Sequence, residues 1–395
     1  MPWSETCPME ERARFVLEAM EGWTSMSELC RQYGISRRIG YKWMARYQAE
    51  GLAALEDRRR VRRTQALQTP PEVVAAIIEL RQKHPTWGPR KLRSRLFEIA
   101  PDVTWPAAST IGVILRREGL SQRRRRKRSR SGAWMGTRTA ADAPNRVWTA
   151  DFKGEFRLGC GQLCYPLTIV DAHTRYVLAC HGLPSTSTAG ARATFERVFR
   201  SFGLPEVIRT DNGAPFSSRA LGGLSQLAVW WLRLGIRLER IRPRHPQDNG
   251  AHERMHRTLK AEATRPTRMT PQLQQRAFDA FRRVYNEERP HEALGQRPPA
   301  HYYLQSERRM PRRLPELHYP EDFQRRRVLR HGQIKWRSHQ YFVSETLRRQ
   351  TVGLRLNQAG WWDLFFGPVH LAQLDEAQGV LKPADRQLKA RKGHG

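Results

Sequence analysis

The sequence predicts a multidomain chain: all-α helix-turn-helix units at the N-terminus, an α/β core, and a small β-barrel at the C-terminus. Three observations predict it. Two successive sets of three capped helical stretches fill the first 119 residues. From about Asn145, short apolar strands alternate with helices, the pattern of a layered fold with a mixed sheet. Beyond Pro298-Pro299, short strands recur between turns that contain glycine, the spacing of a small barrel. The boundaries read as residues 1–60 for the first helix-turn-helix, 70–121 for the second, 122–144 for a basic linker, 145–305 for the α/β core, 322–378 for the barrel and 379–395 for a basic tail.

In the first unit Glu10 to Met20 is helical and Gly22 stops it. Ser25 caps a second helix to Tyr33, Gly34-Ile35 makes a tight turn, and Ser36 caps a third from Arg37 to Glu50. That third helix carries Arg37, Arg38, Tyr41, Lys42 and Arg46, side chains suited to phosphates and base edges in a major groove. A small bundle with a basic face would look the same locally. The basic run Arg58-Arg59-Arg60-Val61-Arg62-Arg63 links it to the second unit. There Pro70-Pro71 opens a helix from Glu72 to Lys83, and His84-Pro85-Thr86-Trp87-Gly88-Pro89 turns the chain. Helices follow at Arg90 to Ile99 and Ser109 to Glu118, with Gly119 as the stop. Tandem units read a longer DNA site than either alone. Gln122 to Arg130 is almost wholly basic, a run expected to be disordered away from DNA.

In the core, Arg146 to Phe152, Cys164 to Asp171 and Tyr176 to His181 read as strands, with a turn at Ala172-His173-Thr174. Ser187 to Phe202 is helical, Glu206 to Thr210 a buried strand, Leu224 to Leu234 helical and Ile236 to Ile241 a strand. Two more helices follow, one carrying Glu253 and one from about Thr270 to Glu287. The C-terminal strands are expected at Arg327–Arg330, Ile334–Ser344, Thr351–Leu356, Trp361–Phe366 and Val369–Leu374.

Of the 395 residues, 70 are Lys or Arg and 38 are Asp or Glu, a formal net charge of +32. Such an excess points to a polyanionic partner, nucleic acid ahead of an anionic membrane. No apolar run is long enough to span a bilayer. The opening Met1-Pro2-Trp3-Ser4-Glu5 lacks a basic and apolar leader, so no secretory signal is expected. Five scattered cysteines fit a reducing, cytoplasmic interior.

The chemistry concentrates on three acids. Asp151 and Asp211 each close a short apolar strand, and Glu253 sits in the first turn of a helix that follows the turn Gln247-Asp248-Asn249-Gly250. Converging carboxylates repel one another unless a cation lies between them, and hard oxygen ligands suit Mg²⁺. Two ions about 3.5–4 Å apart would activate a water or a 3′-hydroxyl and stabilise the leaving oxygen. Taken singly, each acid is more plainly a solvated loop residue. Their shared placement at two strand ends and a helix start lifts the trio above that.

The run Trp148-x-x-Asp151-Phe152, Thr210-Asp211-Asn212-Gly213-x-x-Phe216 and Pro246-Gln247-x-Asn249-Gly250-x-x-Glu253 resembles the DDE integrase core shared by retroviral integrases and bacterial insertion-sequence transposases. Three further runs resemble the bacterial branch: His84-Pro85-x-Trp87-Gly88-x-Arg90-Lys91-Leu92, Val170-Asp171-x-x-Thr174-Arg175-Tyr176, and Tyr285-Asn286-x-x-Arg289-Pro290-His291-x-Ala293-Leu294. The likeness covers about residues 10–305. It implies an RNase H-like core, Asp151, Asp211 and Glu253 as catalytic metal ligands, Mg²⁺ with Mn²⁺ as a substitute, and cutting and joining of element ends to target DNA. It also implies a homo-oligomer on double-stranded DNA, with no membrane and no small-molecule cofactor. Arg37, Arg38, Lys42, Arg46, Arg90, Lys91 and Lys260 are the expected DNA contacts. The interval from Asp211 to Glu253 is longer than in retroviral integrases, and extra helix within Leu221 to Leu232 accounts for the excess.

Competing readings are weaker. His252-Glu253-x-x-His256 matches the zinc-protease helix, but Leu259 and Glu262 stand where the extended motif wants Gly and His, and a protease does not explain the charge. Asp248 is nearer the retroviral spacing but lies in the turn. Glu262 is expected to face away from Glu253, and His256 to meet DNA beside Lys260. Asp171 reads equally as structural or as a neighbour of the site. Cys160-x-x-x-Cys164 with His173 or His181 is too loose for zinc, and Trp361-Trp362 reads as barrel packing. A non-catalytic DNA-binding regulator would have lost an acid, and none is lost. A plain RNase H-type nuclease would leave the N-terminal units superfluous.

Overall fold

The computed structural model describes residues 7–57, 69–121, 138–241, 249–376 and 378–384. The basic runs at 58–63 and 122–130, Asp248 with the turn before it, and the tail beyond 384 lie outside the described residues. The chain divides into two compact units, Met1–Thr69 and Pro70–Gly395.

The first unit holds α1 (Pro8–Glu21), α2 (Met26–Gln32) and α3 (Arg37–Glu50). Gly22, in the left-handed region, ends α1, and the hydroxyls of Ser25 and Ser36 accept the backbone N–H of Glu28 and Ile39. Phe15, Val16, Leu29, Cys30, Trp43 and Leu55 form its core. Gly40 lets α3 approach closely: a Cβ there would lie 2.6 Å from Cys30 Sγ.

The larger unit contains the second helical set: α4 (Pro71–Lys83), α5 (Pro89–Ile99) and α6 (Ala108–Arg117), packed around Ile77, Trp87, Leu92 and Ile111. It also contains the α/β core: β1 (Val147–Phe152), β2 (Phe156–Arg157), β3 (Leu163–Asp171), β4 (Val177–Leu183), α7 (Thr188–Phe202), β5 (Val207–Thr210), α8 (Gln226–Arg233), β6 (Arg237–Arg240), α9 (Gly250–Ala263) and α10 (Pro271–Arg283). The sheet runs β4-β3-β1-β5-β6, with the short β2 continuing beside β3. β1 is antiparallel to β3 and parallel to β5, and β5 is parallel to β6.

Alternation along β1 sorts the two faces. Trp148 and Ala150, with Leu167 and Ile169 of β3, meet Phe195 and Phe199 of α7 and Trp230 and Trp231 of α8. Val170 faces the other way, toward Met255 and Leu259 of α9 and Phe278 and Phe281 of α10. The result is a three-layered α/β/α core. Among the described residues no helix is long and apolar enough to cross a membrane.

The C-terminal part departs from the expected barrel. β7 (Gln324–Arg327), β10 (Thr351–Leu356), β11 (Trp362–Phe366), β12 (Val369–Asp375) and β13 (Val380–Pro383) make an open antiparallel sheet, ordered β13-β12-β11-β10-β7. The single strand expected over Ile334–Ser344 is a hairpin, β8 (Gln333–Trp336) and β9 (His339–Phe342), because Arg337 turns the chain at φ 51°. The hairpin ladder is separate from the sheet, so the described strands do not close.

α8 explains how this sheet is held. It is buried all round from Leu227 to Leu232, as a helix sandwiched between layers must be. Leu227, Trp230 and Trp231 pack into the α/β core; Ala228, Val229 and Leu232 pack against Val352, Leu354, Leu364 and Leu371 of the C-terminal sheet. Leu232→Ala is therefore expected to cost about 2–5 kcal/mol in denaturant unfolding. A loss under about 1 kcal/mol would contradict the bridging role.

Candidate active site

Strand register brings two of the acids together. Ala150 of β1 pairs with Thr210 of β5, so Asp151 and Asp211 follow on neighbouring parallel strands. Asp151 closes on the α9 side of the sheet, because Thr149, two residues earlier, reaches His252 of that helix. Asp211 begins the turn after β5, where it accepts the Gly213 N–H at 3.2 Å, and Asn212 donates to the Ile241 carbonyl at 2.7 Å. These bonds fix the turn against the end of β6. Glu253 lies in the first turn of α9 and is exposed.

Burial, then the neighbouring Asp211 and Glu253, push the Asp151 carboxyl up to about 7. Burial also raises Asp211. The like-charge effect falls on Asp151, the more buried of the two aspartates. Among the described residues, no three His, Cys, Asp or Glu side chains stand close enough to share an ion.

The two histidines of α9 lie under the helix. His252 is 2% exposed and His256 6%. Thr149 Oγ1 is 2.7 Å from His252 Nδ1; Thr168 Oγ1 is 2.7 Å from His252 Nε2 and 2.7 Å from His256 Nε2. Thr168 donates its one hydroxyl proton to the Asp151 carbonyl at 3.0 Å, so it accepts from both rings. Burial pushes His252 down to about 3 and His256 down to about 2, so both are neutral. His256 Nδ1 stands 3.7 Å from Asp151 Oδ2. The expectation that His256 meets DNA is thus corrected: it belongs to the seat of α9 on the sheet. A zinc pair is disfavoured because hydroxyls occupy both nitrogens of His252. Thr149 and Thr168 had no signal in the sequence beyond strand propensity.

Asp171 is structural. It is fully buried and accepts the N–H of Asn145 at 2.7 Å, the N–H of Thr174 at 2.8 Å and the Thr174 hydroxyl at 2.7 Å. It pairs with Trp148, at the other end of β1 from Asp151. Cys160 is exposed while Cys164 is buried. Of the expected DNA contacts, Arg37, Arg38 and Lys42 are exposed on α3 and Arg46 is half-buried, its guanidinium 5.0 Å from the Trp43 ring centre. Lys260 is exposed on α9.

Arg90 and Lys91 lie elsewhere, in a joint between the second helical unit and the core. Lys91 Nζ donates to the Pro290 carbonyl, Arg90 pairs with Glu292 at 3.2 Å, and Ser94 donates to the Gln296 carbonyl at 3.0 Å. Burial, then Arg289, lowers Lys91 to about 8. At the centre Glu262 accepts from Arg289 at 2.6 Å and from the Thr86 hydroxyl. Glu262 does face away from Glu253, and this joint is what it faces.

Two family models, each described as an integrase core domain, match residues 141–246 and 234–299. A helix-turn-helix domain model matches residues 11–64 and a homeodomain-like domain model residues 39–115. The chain is 31% identical to an uncharacterised 31.7 kDa protein of insertion element IS407 from Burkholderia multivorans, over 58% of this chain and 80% of that one. It is 30% identical to an uncharacterised 39.2 kDa protein of insertion element IS476 from Xanthomonas euvesicatoria, over 58% and 63%. Among solved structures, the HTLV-2 integrase catalytic core domain in complex with magnesium matches 41% of this chain and 98% of its own, with 14% identity and a TM-score of 0.33.

The raised Asp151 carboxyl makes stability depend on pH. The group titrates near 3.8 unperturbed and about 7 when folded, so the stability it contributes is fully present below about pH 3.8 and lost as pH rises through about 7. In metal-free buffer, Asp151→Asn is expected to gain on the parent across that window, by at most ~4 kcal/mol above pH 7. Paired unfolding curves from pH 4 to 8 check this; a parent–variant difference that stays constant with pH would contradict it.

Proposed function

The chain belongs to the insertion-element transposases of the integrase superfamily, and on that premise we propose that it binds the terminal inverted repeats of its own element, nicks there and joins the ends to target DNA. The observation that carries this reading is the register of Asp151 and Asp211 at the carboxyl ends of adjacent parallel strands, with Glu253 near enough to act on Asp151 electrostatically. Ligand sites of open α/β sheets lie at such strand ends.

The donor set fits a divalent cation. All three side chains offer hard oxygens, and the upward push on Asp151 is the strain a cation would relieve. Mg²⁺, or Mn²⁺ in its place, bound by Asp151, Asp211 and Glu253 would supply charge stabilisation and an activated water or 3′-hydroxyl, in a two-ion arrangement. The residues do the positioning. The strand ends hold Asp151 and Asp211, and the Gly213 N–H orients the Asp211 carboxylate. Glu253 reaches in from the first turn of α9, whose seat on Thr149 and Thr168 keeps that end of the helix on the sheet. Lys260, two turns along the same exposed face, is proposed to take a phosphate of the bound strand.

End recognition is proposed for the helix-turn-helix units, with Arg37, Arg38, Lys42 and Arg46 of α3 on phosphates and base edges. Lys91 is less suited to it than its sequence suggests, since the joint engages its ammonium, whereas Arg90 stays exposed beside Glu292 and is proposed to meet DNA. Two element ends must be processed together, so a homo-oligomer on double-stranded DNA in the cytoplasm is part of the reading.

Asp151→Asn, Asp211→Asn and Glu253→Gln are each expected to abolish nicking and joining of a labelled element-end duplex in Mg²⁺, at least 10²-fold, while end binding is retained. Substantial Mg²⁺-dependent activity in any of them would remove that residue from the site. Arg37→Ala and Lys42→Ala should weaken end binding with catalysis on saturating DNA little changed. With about six to ten phosphate contacts, affinity should fall roughly 10³–10⁵-fold between about 50 and 200 mM salt. Equal affinity for element ends and random duplex would overturn the recognition role.

A further inference from the structure

The joint around Glu262 couples the second helical unit to the helix that carries Glu253. Glu262 and Glu253 are nine residues apart on α9, about 13.5 Å along one rigid helix. Arg289, 8% exposed, donates to Glu262 at 2.6 Å and to Thr86 Oγ1 at 3.2 Å. Thr86 belongs to the turn between α4 and α5, so one carboxylate gathers α9, that turn and the segment after α10. Lys91, Arg90 and Ser94 of α5 extend the contact over Pro290, Glu292 and Gln296. Val284 completes it by packing against the core of the helical unit.

On the helical unit's side the joint uses Thr86 and α5, and it leaves one face of α6 exposed. Ser109, Thr110, Val113, Arg116 and Arg117 are exposed on α6. Thr110, Val113 and Arg117 share one stripe at helical spacing. Hydroxyl, methyl and guanidinium groups on one face are the chemistry that reads base edges. The helical unit thus meets α9 through Thr86 of the α4–α5 turn and the 290–296 segment through α5, and turns one face of α6 to solvent.

We propose that this joint is a ruler. Resting on the transposase reading, it sets the distance from α6, on the recognised sequence, to the carboxylates, so that the cut falls a fixed number of base pairs from that sequence. Glu262, Arg289 and Thr86 are positioning residues: they touch no substrate and act through α9.

Two measurements on the full-length protein test it. In the first, spin labels at Glu118→Cys and Thr258→Cys, with Cys7 and Cys160 changed to Ser, report the distance between α6 and α9. The parent should give one narrow distance, and Glu262→Gln and Arg289→Gln a broad distribution; a variant distribution as narrow as the parent's would overturn the proposal. In the second, base pairs are inserted between the recognised sequence and the end of the duplex. The parent should keep its cut at the original distance from the recognised sequence, while the variants, binding ends within about threefold of the parent, should scatter their cuts over several positions. A parent cut that follows the terminal sequence through the insertions would overturn the ruler even if a variant failed to fold. A parent that binds and cuts no element end would contradict the transposase reading instead, and the label distances would still judge the joint.

Discussion

The proposed cation site and the joint behind it both depend on how α9 is held to the sheet. Two buried histidines do it without charge. His252 spans the hydroxyls of Thr149 and Thr168, and His256 shares Thr168. Each such bond is worth about 0.5–1.5 kcal/mol net, but a buried partner left unmet costs about 1–3. The seat is therefore more exacting than its energy suggests. Neutrality matters too: a charged imidazole beside Asp151 would hold that carboxylate ionised without a metal. The seat and the acid are neighbours on one strand face, Thr149 and then Asp151, so the register of β1 sets both.

From that seat the helix works in three directions. Its buried stripe of His252, Met255, His256, Leu259 and Ala263 faces the sheet. Glu253 lies toward the strand ends, and Glu262, beyond two further turns, meets Arg289 and Thr86. The C-terminal sheet depends on a different bridge, α8, whose two faces serve two cores. That helix lies between Asp211 and Glu253 in the chain and anchors a second sheet.

Much of the fold was legible because its signals are local. Serine caps at Ser25 and Ser36 and glycine stops at Gly22 and Gly119 mark helix ends through backbone chemistry alone. Asp151 and Asp211 were legible as apolar runs breaking at an acid. Other features need partners far along the chain. The barrel was expected from turn spacing, but closure is a matter of ladder pairing, which spacing does not encode. β2 and β13 are too short or too polar to stand out, and the turn at Arg337 uses a residue that rarely adopts positive φ. Lys91 and Arg90 carry DNA-binding chemistry in sequence; only the fold brings Pro290 and Glu292 to them. His256 looked exposed because helical phase alone does not say which face the sheet covers.

The central claim is that Asp151, Asp211 and Glu253 form one cation site. Anomalous diffraction from crystals soaked in Mn²⁺ tests it most directly. The account predicts anomalous peaks among the three carboxylates, lost in Glu253→Gln or Asp211→Asn. A peak on His252 and His256 instead, or none among the carboxylates at saturating Mn²⁺ with DNA bound, would contradict it.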